Sequence, residues 1–127
     1  MSSTRDFSGP IGSALSVNLN ATGDTEIVVP AGSRKFIITR IVVTNASASL
    51  AAGSLQYGIF QNALEAGEVI LANGVNSATS LTAASKFISP TVAQDDSIQD
   101  SSVHFHVEVA NGTAATADVY LYGVVLA

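Results

Sequence analysis

The sequence predicts a single all-β domain: a two-sheet antiparallel β-sandwich of about eight short strands with no substantial helix. Three observations carry this expectation. Apolar and polar residues alternate with the two-residue period of a strand, turn residues recur roughly every 8 to 12 positions, and no segment keeps the spacing of an amphipathic helix. The strand spacing suits a sandwich or a barrel, and no stretch supports a βαβ crossover. A chain of 127 residues has room for one core, so a second domain is excluded.

The strands follow in order. In SALSVNLN, Leu15, Val17 and Leu19 alternate with Ser16, Asn18 and Asn20, which predicts a half-buried strand. The turn residues of ATGD lead into TEIVV, and Pro30-Ala31-Gly32-Ser33 interrupts before KFIITRIVVTN, predicting two strands joined by a turn. The second of these is apolar on both sides, with Phe36, Ile38 and Val42 on one face and Ile37, Ile41 and Val43 on the other. One face meets the core and the other is expected to meet a partner. After the small-residue loop 46–53, Leu55, Tyr57 and Ile59 share a face of the next strand, and EVILA follows the turn at Glu65-Ala66-Gly67. Residues 73–85 are low in pattern, with a helical turn expected around Ser80 to Ala84. Lys86 to Val92 reads as a strand that Pro90 confines to an edge or a bulge. SVHFHVEVA and ADVYLYGVVL, separated by NGTAAT, read as an antiparallel hairpin.

Residues 1–12, with Gly9, Pro10 and Gly12 and no alternation, are expected to form a flexible arm outside a sandwich of residues 13–127. The chain is 47% hydrophobic but only 12% charged, about half the usual charged share of a soluble domain. Such a surface calls for another protein to cover part of it. The net charge of −5, with Arg34 and Lys35 the one adjacent pair of cations, argues against nucleic-acid binding. No apolar run approaches the roughly 18 residues of a membrane span, and the N-terminus lacks a signal-like apolar stretch, so a soluble, non-secreted product is expected. Without cysteine, disulfides and thiolate metal sites are excluded.

Candidate chemistry is sparse. His104, His106 and Glu108 fall in a row on one strand face, where two imidazoles and a carboxylate are a metal-ligand set of the kind that opens the cupin motif. The later cupin ligands have no counterpart, since the chain has two His in all, and alternation alone places polar residues on a solvent face. Asp95, Asp96 and Asp100 lack the spacing of a calcium loop. The Asn-x-Ser/Thr triplets at Asn20, Asn45 and Asn111 reflect composition. No nucleophile elbow, phosphate loop or carboxylate pair with a Trp platform occurs, so a non-enzyme without a cofactor is expected.

Across EIVVPAGSRKFIITRIVVTNASAS and LEAGEVILANG the chain resembles the small jelly-roll proteins of tailed-bacteriophage virions. The likeness lies in the order strand, Pro30-Ala31-Gly32 turn, long apolar strand through Ile41, Asn45 loop, then Ala66-Gly67-Glu68 turn. It spans about residues 25–75. What it implies is a jelly-roll sandwich acting as a capsid decoration or cement protein. Such a protein is assembled in the host cytoplasm and seated on the outer capsid surface as a homotrimer bound to the major capsid protein. The interface candidates are Phe7, Arg34, Phe36, Ile38, Val42, Tyr120 and Tyr122. The alternative reading is a carbohydrate- or receptor-binding sandwich of a phage tail or adhesin, whose Asn/Ser/Thr-rich loops would hydrogen-bond sugars.

Overall fold

The computed structural model describes residues 9–74 and 78–126. Within them lie eight strands and no helix: β1 (Gly12–Asn18), β2 (Gly23–Val28), β3 (Phe36–Thr44), β4 (Gln56–Asn62), β5 (Ala66–Leu71), β6 (Phe87–Ile88), β7 (Ser102–Val109) and β8 (Thr116–Val125). They form two antiparallel four-stranded sheets in the orders β1-β8-β3-β6 and β2-β7-β4-β5. The two-strand ribbon β1–β2 lies on the ribbon β7–β8, strand for strand, and β3–β4 partners β6–β5 in the same way. This is the jelly-roll wrap, so the expected fold class is the one observed.

The wrap corrects one expectation. β7 and β8 are not a hairpin: β7 pairs with β2 and β4, and β8 with β1 and β3. Residues 110–115 between them cross from one sheet to the other, over the roughly 10 Å that separates packed sheets. They are strapped to the β1–β2 corner by Asn111 N donating to Leu19 O (2.9 Å), Leu19 N to Ala115 O (2.9 Å) and Gly112 N to the Asn20 side chain (2.8 Å). The turn after β2 likewise joins strands of different sheets. Of the adjacent strands, β4 and β5 do pair as a hairpin.

Apolar rows from both sheets fill the gap. Ile27, Tyr57, Ile59, Val103, Phe105 and Val107 come from one side, and Phe36, Ile38, Ile41, Val119 and Leu121 from the other. Tyr57 stacks on Phe105 with ring centroids 5.0 Å apart, and burial pushes its phenol far above the ordinary tyrosine range.

Register slips decide which residues reach that gap, two of them in the sheet β1-β8-β3-β6. In β3 the register slips between Ile38 and Arg40, so Phe36 and Ile38 face inward before the slip and Ile41 and Val43 after it. Phe36, Ile38 and Val42 therefore do not share a face: Phe36 and Ile38 are core residues, and Val42 lies on the outer side. Gly123 sits opposite the slip, where a Cβ would collide with the Ile37 carbonyl oxygen. In β1 the register slips between Ala14 and Val17, which turns Leu15 outward at 63% exposure while Val17 and Leu19 stay buried.

One carboxylate of β8 serves the chain on both sides of that strand. Asp118, itself buried, accepts from Ser16 N (2.8 Å) and from Asn45 Nδ2 (3.0 Å). Ser16 and Asn45 both have left-handed backbones, with φ of 54° and 57°. Beyond β6, which is only Phe87–Ile88 because the chain runs into Pro90, the free edge of β3 is covered by segment 89–98. Gln94 Oε1 accepts from Ile38 N (2.9 Å), and Phe36 and Ile98 exchange backbone bonds. Around Ser80 to Ala84 the backbone makes turns rather than the expected helical turn. Ile11 N already bonds Leu121 O (2.7 Å), so ordered sheet contacts start just before residue 12, and residues 1–8 of the expected arm lie outside the described residues.

Two substitutions probe this framework. Gly123→Ala is expected to destabilise the fold by about 3 kcal/mol, because the clash is with backbone that cannot rotate away. Asp118→Ala is expected to cost about 2 kcal/mol by stranding the donors of Ser16 and Asn45. Both are read by urea unfolding.

Candidate functional site

The sandwich has two outer faces of different character. Residues that pair across strands project to the same side. On the sheet β1-β8-β3-β6, the pairs Val42↔Tyr120, Arg40↔Tyr122, Thr44↔Asp118 and Thr44↔Phe87 therefore define one surface. Phe87 is 60% exposed there, Val124 52%, and Leu15 projects beside them. The Arg40 guanidinium lies over the Tyr122 ring, 5.9 Å from its centroid. Of the expected interface residues, this face holds Val42, Tyr120 and Tyr122. Arg34 is exposed in the β2–β3 turn, its Nε donating to Ala31 O at 3.3 Å. Phe36 and Ile38 are in the core and unavailable to a partner, and Phe7 lies outside the described residues.

The opposite sheet, β2-β7-β4-β5, turns a polar face to solvent. The inward row Val103, Phe105, Val107 of β7 forces His104, His106 and Glu108 outward, as the alternation predicts. Antiparallel register sets Asp24 of β2 on one side of His106 and Gly58 of β4 on the other. A Cβ on Gly58 would stand 2.8 Å from the Phe60 ring; with hydrogen there, Phe60 packs edge-on to His106, ring centroids 6.2 Å apart, and is buried outside the main core.

His106 is the centre of a carboxylate cluster. Its Nδ1 lies 3.1 Å from Asp24 Oδ1, and its Nε2 lies 3.0 Å from Glu65 Oε2 and 3.3 Å from Glu108 Oε1. Its side chain is 12% exposed. Glu65 arrives from the β4–β5 turn, where Leu64 and Glu65 both take left-handed φ, 59° and 62°. Non-glycine residues rarely accept that conformation. Asp24 holds the turn in place, since its second oxygen accepts from Leu64 N at 3.2 Å.

His106 and Glu108, both candidates from sequence, are thus brought together, whereas His104 is not part of the group: its Nδ1 faces the Gln61 carbonyl oxygen at 3.3 Å. Glu65 and Asp24 were hidden from sequence reading because each sits in or next to a turn, where an acid is the default. The pairing of β2 with β7 and the turn geometry after β4 are what carry them to the imidazole. Asp95 and Asp96, the loop acids, instead offer backbone N–H groups to Glu68 Oε2 at 3.0 and 3.2 Å.

Crowding of acids has a measurable consequence. A hydrogen bond shared with Glu108, followed by desolvation and the Glu108 charge, raises the Glu65 pKa from its ordinary value, against the pull of His106 and the Asn73 amide. A carboxyl whose folded pKa is raised binds its proton more tightly when folded. Its ionisation therefore opposes folding as pH rises through the window between the unfolded and folded pKa values. Glu65→Gln is expected to raise the melting temperature of the chelator-treated protein at neutral pH, with the difference shrinking as pH falls through that window. Scanning fluorimetry over a pH series checks this. Comparisons with protein families, with curated proteins and with solved structures found no match for this chain.

Proposed function

We propose that the protein is a structural virion component, a capsid decoration or cement protein that associates with itself as a trimer and docks on the major capsid protein. The observation that carries this reading is the outer face of the sheet β1-β8-β3-β6. Leu15, Val42, Phe87, Tyr120, Tyr122 and Val124 lie on it, with Arg40 stacked on Tyr122. Aromatic residues and Arg are the side chains enriched in interface centres, where their large rigid area is desolvated at low entropic cost. A jelly roll with a 12% charged sequence and an apolar outer sheet suits a part that works by being assembled. The resemblance across residues 25–75 supplies the capsid as the setting.

The test is the native mass of the full chain by light scattering at micromolar concentration, together with mass spectrometry of virions from its source. A trimer is expected, as is its presence in the particles. Tyr122→Asp and Leu15→Asp, both at solvent-facing positions, are expected to weaken association by at least about tenfold, the cost of one buried aromatic or aliphatic anchor, with little change in melting temperature. A wild-type monomer absent from particles overturns the reading.

A further inference from the structure

We propose that Glu65, His106 and Glu108 form a site for one divalent transition-metal cation of the Zn²⁺ type, with Asn73 as a neutral fourth ligand and Asp24 orienting the imidazole. The site lies on the sheet opposite the proposed docking face and does not depend on that reading.

The spacing of the three ligand atoms is close to that of ligands around an ion. Oxygen and nitrogen ligands about 2.1 Å from a tetrahedral Zn²⁺ stand roughly 3.4 Å from one another. Nε2 of His106 is 3.0 and 3.3 Å from the two glutamate oxygens, and all three ligand atoms lie within 4.8 Å of one another. Asp24 on Nδ1 completes the carboxylate–imidazole arrangement that fixes a metal-binding histidine, accepting the Nδ1 proton and leaving the Nε2 lone pair for the ion. Without a cation the cluster is frustrated. With all three carboxylates ionised, even a doubly protonated imidazole leaves two negative charges uncompensated, and in the absence of a cation the relief is the hydrogen bond that Glu65 shares with Glu108.

A second, independent observation comes from Asn73. Its Oδ1 is buried and has no hydrogen-bond partner among the described residues, while its NH₂ group faces both glutamates, Nδ2 lying 3.4 Å from Glu108 Oε1. The orphaned oxygen and the Leu71 carbonyl oxygen both crowd the same point beside Gly58, 2.6 Å each from where a Cβ would stand. A half-turn of the amide exchanges its oxygen and nitrogen. It would give the NH₂ group the acceptor-lined space and bring the oxygen to the carboxylates. Next to bare carboxylates that oxygen is repelled; next to a cation it is a ligand. One imidazole, two carboxylates and an amide oxygen suit a four-coordinate borderline ion, whereas Ca²⁺ takes six to eight oxygens. Bound there, the ion ties the β4–β5 turn to β7, and through Asp24 to β2.

The experiment uses the full chain stripped with chelator, titrated with Zn²⁺ by calorimetry and with Co²⁺ by visible absorption. One ion per chain and a rise in melting temperature are expected. Glu65→Gln and Glu108→Gln should each weaken binding at least about tenfold, and Asp24→Asn by about 10–100-fold, as loss of an orienting partner does. Glu65 sits in an exposed turn, so the melting temperature of the metal-free variant verifies that it folds. No binding of Zn²⁺, binding unaltered in Glu65→Gln, or stabilisation by Ca²⁺ equal to that by Zn²⁺ in both proteins overturns the site. The first outcome means a proton shared between the glutamates, and the others a diffuse acidic surface.

Discussion

The space between the sheets has to be filled by apolar side chains, and β7 and β8, two of the four strands paired on both sides, set where the rows lie. Each central strand is paired on both sides, so its inner residues, Phe105 among them in β7 and Val119 and Leu121 in β8, are fully buried. Neighbouring strands must match them or slip until they do. β1 and β3, both partners of β8, each slip by a residue, and in each case an apolar residue is returned to the core at the cost of local backbone regularity. The Asp118 carboxylate and the bare Cα of Gly123 are the local devices that make those irregularities tolerable.

That constraint explains what was legible in the sequence. Strand existence follows from alternation, and in β7 the inward row Val103, Phe105 and Val107 and the outward His104, His106 and Glu108 follow it, whereas Val109, expected on the inward row, is 39% exposed where the register against β4 slips. Faces were misjudged in β1 and β3 because a bulge is an event between two strands: Leu15 and Val17 look equivalent until Ala14 and Val17 are seen against β8. Pairing was misjudged for β7 and β8 because the six-residue link Ala-Asn-Gly-Thr-Ala-Ala suits a hairpin and a sheet-to-sheet crossing equally. The hydrogen bonds that settle it go to Leu19 and Asn20, some ninety residues away in sequence. The same holds for the acidic cluster. His106 and Glu108 were visible as a strand row, while Asp24 and Glu65 join them only through tertiary register.

The fold separates two kinds of surface. A jelly roll offers one outer face per sheet, and here aromatic and aliphatic side chains gather on one and histidine and carboxylates on the other. Burial of the first in an assembly would leave the second exposed, so association and ion binding can be altered independently. The acid–histidine face also bears on kinetics of encounter, since a concentrated negative patch repels acidic surfaces and favours basic ones over distances of about a Debye length.

The left-handed pair Leu64–Glu65 has an implication for anyone seeking a hardier version of this protein. Hairpin turns with positive φ at successive positions prefer Asn and Gly, and a redesign guided by stability alone would install them there. The redesigned turn would be easier to form and would have lost the one carboxylate that the turn delivers to His106. A gain in heat resistance made there would come with the loss of the Glu65 contact to His106, so the ease of forming this turn and the carboxylate cluster on that face pull in opposite directions.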